Sequence, residues 1–195
     1  MPKIDAPTIA EHRAMVQARL VDAADEILRS GAPELLTAHA VTAAAGIARN
    51  SIYRYVDSVD DLRGLVLARY LPAWLDHVEN AMVGVTDPEE LLVVWAEANL
   101  RASTVSGHGW LMNLGRNHSP TTQASMERVH GMMHQVPNEV WAELLPERDQ
   151  AAVAAAMTLG LLETGFRLLE RGIDVEQVTA TTGQALRGMI GALTG

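Results

Sequence analysis

Cysteine is absent from this chain, which excludes disulfides, thiolate metal sites and a cysteine nucleophile, and fits a reducing cytosol. Long apolar runs are absent too. None approaches the ~20 residues of a membrane span, and Met1–Ala10 has no apolar core of the kind a signal peptide carries. The expectation is a soluble, cytoplasmic protein with no membrane partner. Catalytic signatures are equally missing. There is no glycine-rich phosphate loop and no G-x-S-x-G elbow, and Ser103, Ser106 and His108 have no acid close in sequence to complete a triad. Neither an enzyme nor a bound cofactor is indicated.

Positive charge is also in deficit. Fifteen Lys and Arg stand against 24 Asp and Glu, a formal −9 over 195 residues. Such a balance repels phosphate, but it is unevenly spread. Residues 1–70 hold eight basic side chains against nine acidic ones, whereas residues 71–195 hold seven against fifteen. The acid therefore sits where no polyanion need be touched. No strong basic stripe emerges either, so counterion release per subunit would be modest and dimerisation must supply affinity.

What is present in quantity is helical periodicity; strand alternation never persists. Ile9–Arg29 sets Val16, Leu20, Ala23, Ala24, Ile27 and Leu28 on one face and ends near Ser30-Gly31. Ser58 and Asp61 have capping-box spacing ahead of Leu62, Leu65, Val66 and Tyr70, which continue that helix inward. Pro72 is expected to bend or end it before Trp74, Leu75, Val78 and Met82 resume the pattern. Asp87 reads as a cap with Pro88 at the first helical position. Further helices are expected over Glu89–Thr104, Gly107–Gly115 and Asn117–His134, with Pro137 as a break before a short turn over Glu139–Leu145. Glu147–Arg171 and Val175–Leu193 close the chain around Gly172. The result is an all-α fold of about nine helices, three in an N-terminal head over residues 1–57 and the rest in a bundle over residues 58–195.

The sharpest pattern runs from Thr37 to Leu65. A hydroxyl cap at Thr37 opens a short helix whose inward face is Val41, Ala44 and Ala45, and Gly46 supplies the positive φ at which it ends. Ile47 plugs the turn. A second short helix then offers Arg49, Asn50, Ser51, Tyr53, Arg54 and Tyr55 to the outside. Two short helices joined by a glycine turn, the second rich in hydrogen-bond donors, are the parts of a helix-turn-helix. Its second helix has the size to enter a DNA major groove.

Residues from about Arg13 to Tyr70 resemble the DNA-binding domain of the tetracycline-repressor (TetR) family of bacterial transcription regulators. The matching pieces are the amphipathic Leu20–Leu28, Thr37 opening helix two, the Ala45-Gly46-Ile47 turn, Ser51-Ile52-Tyr53-Arg54-Tyr55, and Ser58 with Leu62 opening helix four. This covers roughly the first third of the chain; the rest matches in being helical and of suitable length. The resemblance implies a two-fold dimer that presents two recognition helices, about one DNA turn (~34–36 Å) apart, to a pseudo-palindromic double-stranded operator. It further implies that Thr37 and Ser51 bind phosphates, that Arg49, Asn50 and Tyr53 face bases or backbone, and that Arg54 and Tyr55 support the helix and grip phosphate. Arg49 and Asn50 are the foremost base readers, since Arg suits guanine and Asn suits adenine. Two positions depart from the family pattern. Ala48 stands where many members place a Ser or Thr cap, a loss of roughly 1 kcal/mol at the helix start. Val59 stands where a lysine usually meets phosphate. Both departures bear on affinity, not on fold.

Small residues crowd the last two helices: Ala151, Ala152, Ala154, Ala155, Ala156, Gly160 and Gly165 on one, Gly183, Ala185, Gly188, Gly191 and Ala192 on the other. They suit internal packing, or a four-helix interface between two copies; the resemblance implies the homodimer. In the bundle, Trp95, Trp110, Met133 and Phe166, with Asn99, His134 and Glu163 as polar points, are singled out as lining a cavity for a small apolar effector, against the plainer alternative of ordinary core. His130 and His134 stand four apart, a spacing that can ligate a metal, but H-E-x-x-H is absent and a solvated pair is the preferred reading, so no metal is assigned. The expectation is a homodimeric repressor released from its operator by a small apolar effector. The alternative is a small helical metal-binding protein or enzyme with a vestigial DNA-binding head, and a third reading is a regulator that recruits a protein partner.

Overall fold

The computed structural model describes residues 8–30, 33–106 and 120–195, with side chains over 8–30, 34–104 and 131–195. Among the described residues the fold is all-α, as expected, with seven α-helices and two short 3-10 helices and no strand. The α-helices are α1 (Ile9–Arg29), α2 (Ala38–Ala44), α3 (Asp61–Met82), α4 (Pro88–Ser106), α5 (Pro120–Leu144), α6 (Arg148–Glu170) and α7 (Val175–Thr194); the 3-10 helices are Pro33–Leu35 and Arg49–Arg54. The helix expected over Gly107–Gly115 lies outside the described residues.

Most helix starts are set by local chemistry. Thr8 and Glu11 form a reciprocal capping box at α1. Ser58 and Asp61 do the same ahead of α3, with Asp61 Oδ2 accepting the Ser58 N–H at 2.7 Å and Ser58 Oγ accepting the Asp61 N–H at 3.2 Å. Asp87 caps α4 ahead of Pro88, and Asp174 caps α7 by accepting the Gln177 N–H at 3.1 Å.

Two prolines fall inside helices that continue past them, which for Pro137, where a break was expected, is a correction. Pro72 lies inside α3, and Pro137 lies inside α5, which runs unbroken to Leu144 and absorbs the separate turn expected over Glu139–Leu145. An interior proline costs about 3 kcal/mol in lost hydrogen bonding and crowding. In each helix the following turn is anchored by tertiary contacts: Trp74 after Pro72 bonds Asn99, and Val140 and Trp141 after Pro137 are buried. Burial of such side chains is worth a comparable amount, so the helices continue.

The chain folds as two compact units, the boundary falling between Arg69 and Tyr70, with residues 120–125 grouped with the first. In the first, α1 packs on α2 and α2 on the Arg49–Arg54 segment, and the buried side chains include Leu20, Leu28, Val41, Ile52, Leu62 and Val66. In the second, α4 packs on α6 and α7 around Leu92, Trp95, Leu100, Trp141, Leu162, Leu186 and Ile190. The polar edge of the Trp141 ring is satisfied in this core: its Nε1–H donates to Thr158 Oγ1 at 2.9 Å, and the Thr158 hydroxyl donates to the Ala154 carbonyl at 3.0 Å.

Helix α6 corrects the reading of apolar runs. It is long and apolar enough to cross a bilayer by length and composition, with mean hydropathy 1.4 over its most apolar stretch. Its Ala151, Ala154, Ala155, Thr158, Leu162, Gly165 and Phe166 are buried in the unit's own core. Its many alanines raise the average, while Thr158, Gly160, Glu163 and Thr164 interrupt the apolar run.

Candidate nucleic-acid interface

The exposed part of the first unit is built from short-range bonds. Thr37 is extended, and its Oγ1 accepts the Ala40 N–H at 3.1 Å, so α2 starts with one of its otherwise unmet N–H groups satisfied. At the far end, Gly46 adopts φ 67°. That turn brings the Ile47 N–H to the Thr42 carbonyl at 3.0 Å and the Gly46 N–H to the Ala43 carbonyl at 3.3 Å. The double closure depends on a positive φ at its centre, so a side chain at position 46 would be strained there.

The next segment departs from expectation. Arg49–Arg54 winds as a 3-10 helix, not as an α-helix. Ala48, extended at φ −66° and ψ 137°, has no side-chain oxygen to accept an N–H from the first turn. The Ser51 N–H instead closes onto the Ala48 carbonyl at 2.8 Å, the three-residue spacing of a 3-10 turn. Ile52 is fully buried and moors the segment, while Tyr53 is 61% exposed. Thr37, Arg49, Asn50 and Arg54 are also exposed, and Ser51 and Tyr55 are half-buried.

Three of the arginines in this unit are held by acids in or beside α1 and α3. Arg29 bonds Asp25 at 3.0 Å, Arg63 bonds Asp60 at 3.1 Å, and Arg69 reaches Asp22 at 2.7 Å. Among the described residues Arg49 and Arg54 enter no ion pair. The segment that offers amide, hydroxyl and guanidinium donors to the outside thus also carries two positive charges that no acid among the described residues pairs.

The bundle residues singled out from sequence fall into three groups. Trp95, Asn99 and Phe166 are buried in the second unit. Asn99 Nδ2 donates to the Trp95 carbonyl at 2.8 Å, and Asn99 Oδ1 accepts the Trp74 Nε1–H at 2.9 Å. The Trp74 ring meets Phe166 edge-on at 6.0 Å. Met133 is half-buried against the same core, whereas His134 and Glu163 lie at the surface, outside this group. Trp110 and the side chain of His130 lie outside the described residues. Trp74 is the partner that sequence reasoning passed over; it stands 25 positions from Asn99, and no local pattern pairs them.

The small residues of α6 and α7 also divide. A Cβ on Gly165 would lie 2.6 Å from Cδ2 of the buried Leu100, so this glycine serves close packing against α4 inside the subunit, while one on Gly183 would lie 2.7 Å from the Oε1 end of the flexible Glu97 side chain, also on α4. Gly160, Gly188 and Gly191 have nothing within 4 Å of such a Cβ. Also on α6, Val153 and Met157 are each 59% exposed.

No family model matches the sequence, and no curated protein matches it at a significant level. Solved structures do match in fold. A TetR-like transcriptional regulator from Rhodococcus sp. RHA1 superposes with a TM-score of 0.65 at 18% identity, over 95% of this chain and 100% of that one. A TetR-family regulator from Streptomyces coelicolor gives 0.66 at 16% identity, over 93% and 97%. A transcriptional regulator from Saccharomonospora viridis, solved in complex with choline, gives 0.63 at 15% identity, over 91% and 96%. The chain therefore has the fold of TetR-family regulators along nearly its whole length.

Proposed function

We propose that this chain is a cytoplasmic, homodimeric TetR-family transcriptional regulator that represses from a pseudo-palindromic operator and is released by a small apolar effector. The observation that carries the reading is the Thr37–Tyr55 element: a capped helix, a glycine turn and an exposed donor-rich segment whose two arginines enter no ion pair among the described residues. It is set in a fold shared with such regulators over more than nine-tenths of the chain. Residues 1–57 form the reading head. Thr37 and Ser51 bind phosphate, Arg49, Asn50 and Tyr53 face the groove, and Arg54 and Tyr55 grip the backbone. Residues 58–195 sense and dimerise.

Dimerisation uses the open face of α6 and α7. Gly160, Gly188 and Gly191 permit close approach of a second backbone, and Val153 and Met157 supply apolar area that the single chain leaves in water. In this reading Trp95, Asn99, Trp110, Met133, His134, Glu163 and Phe166 border the effector site, with Trp95, Asn99 and Phe166 its buried part. The effector acts by favouring a spacing of the two heads that does not fit adjacent major grooves.

Selection of genomic fragments on purified protein tests this reading. The expected product is a shared pseudo-palindrome with half-sites about one turn (~34–36 Å) apart. A compound that is the effector will stabilise the protein, by about 2.7 kcal/mol at a hundred times its dissociation constant. It will loosen operator binding by the same factor by which the operator loosens the compound. A stabiliser that leaves operator affinity unchanged is a bystander, and fragments without a common sequence would count against the proposal.

A further inference from the structure

Resting on the DNA-binding reading above, we infer that Arg49–Arg54 reads DNA only after rewinding from a 3-10 helix to an α-helix, and that Ala48 sets the cost of the change. A six-residue 3-10 run exceeds the three or four residues at which such helices usually stop. At its ends the segment is tied by the Ser51 N–H to the Ala48 carbonyl at 2.8 Å and the Tyr55 N–H to the Ile52 carbonyl at 2.9 Å, and Ile52 is the one side chain of the six that is buried. At its C-terminal end the Val56 N–H already reaches the Ile52 carbonyl at 3.2 Å, the four-residue closure of an α-turn.

Winding decides which side chains share a face. In a 3-10 helix successive residues are ~120° apart, so Arg49 falls in the row of the buried Ile52, Asn50 pairs with Tyr53, and Ser51 pairs with Arg54. The donors are then divided over three rows. In an α-helix the step is ~100°, which brings Asn50 and Arg54 within ~40° of each other and opposite Ile52, with Tyr53 and Arg49 beside them. Asn50, Tyr53 and Arg54 then share one arc of ~100° turned away from the core, with Arg49 at its edge ~60° from Ile52, a single face of the kind that enters a major groove.

The same geometry explains the resting state. Changing to four-residue closure releases the Ser51 N–H from the Ala48 carbonyl, and an alanine at the cap offers no oxygen in exchange. A hydroxyl at position 48 would accept that N–H and hold the α form before DNA arrives.

The test uses full-length wild type and Ala48→Ser, with a duplex selected by the wild-type protein from a random pool and a scrambled duplex of equal length. In the wild type, the Cα chemical shifts of residues 49–54 should move to α-helical values when the selected duplex is added. In free Ala48→Ser they should already have moved part of the way. The variant should bind the selected duplex about fivefold more tightly, the ratio that corresponds to roughly 1 kcal/mol of capping, with the scrambled duplex unaffected. Shifts that stay in place on DNA, or equal affinity of the two proteins for the selected duplex, overturn the inference alone. An equal gain on both duplexes overturns it in favour of a new phosphate contact. Failure of both proteins to bind any duplex overturns the DNA-binding reading and the inference with it.

Discussion

The two units are held together by different means. In the first, the Thr37–Val56 element is closed by bonds that span two to five residues and rests on a single fully buried side chain of its reading segment, Ile52. In the second, bonds join positions far apart, Trp141 to Thr158 and Trp74 to Asn99 in or beside the core and Arg101 to Glu176 and Arg187 to Glu90 at the surface, up to 97 residues distant. Short closures let one segment change its winding while its neighbours keep their bonds. Long closures make a packed body in which the loss of one group is felt throughout. On the function proposed above, a reading element and a sensing body would place just these opposite demands on a chain.

The comparison breaks first if the second unit tolerates large deletions. Trp141→Ala removes a fully buried ring and leaves the Thr158 hydroxyl without its donor, and should lower unfolding free energy by about 3–5 kcal/mol in urea titrations. A loss well under that range would mean the packed body is not held as described.

Glycine position sharpens it next. Gly165→Ala pushes a methyl against Leu100 and should destabilise the fold by about 1–3 kcal/mol. Gly188→Leu meets nothing inside the subunit, so it should leave the monomer's fold alone and instead shift light-scattering mass from dimer toward monomer. A wild-type protein that is monomeric at micromolar concentration would remove the dimer from the account.

In the first unit, Arg49→Ala should leave thermal stability unchanged, since the side chain is exposed and enters no ion pair among the described residues. It should weaken specific DNA binding by ~1–3 kcal/mol and relax sequence preference. Equal losses on specific and scrambled duplexes would reassign Arg49 to phosphate.

The smallest effect is on pH. The Arg101 guanidinium, bonded to Glu176 across α4 and α7, holds the Glu176 carboxyl below the usual glutamate range. A carboxylate depressed in the folded state contributes stability above its unfolded pKa, near 4.3, and that contribution fades as pH falls through the folded value. Both groups are exposed, so the contribution is minor and salt-screened. Arg101→Met should flatten the acid limb of the stability profile slightly; an unchanged limb would show that the pair contributes nothing.

The same contrast accounts for what could be read from sequence. Thr37, Gly46, Ser58 with Asp61, and Asp87 with Pro88 act on neighbours within a few positions, so residue type and spacing suffice to place them. Ala48 was visible as a missing cap, but its effect on winding depends on the competing carbonyl closure, which spacing does not reveal. Pro137 read as a break, and Pro72 as a bend or an end, because the anchors that carry α5 and α3 past them are tertiary. Composition could not separate Gly165 and Gly183 from Gly160 and Gly188, nor place His134 and Glu163 at the surface, because depth belongs to packing and not to residue type.

The most direct test of the central claim is a titration, at one fixed salt concentration, of wild-type protein against its selected genomic fragment and against a scrambled duplex of the same length and composition. The account predicts two protomers per fragment and a preference for the selected sequence of about a thousandfold or more. Equal affinity for the two duplexes would contradict it.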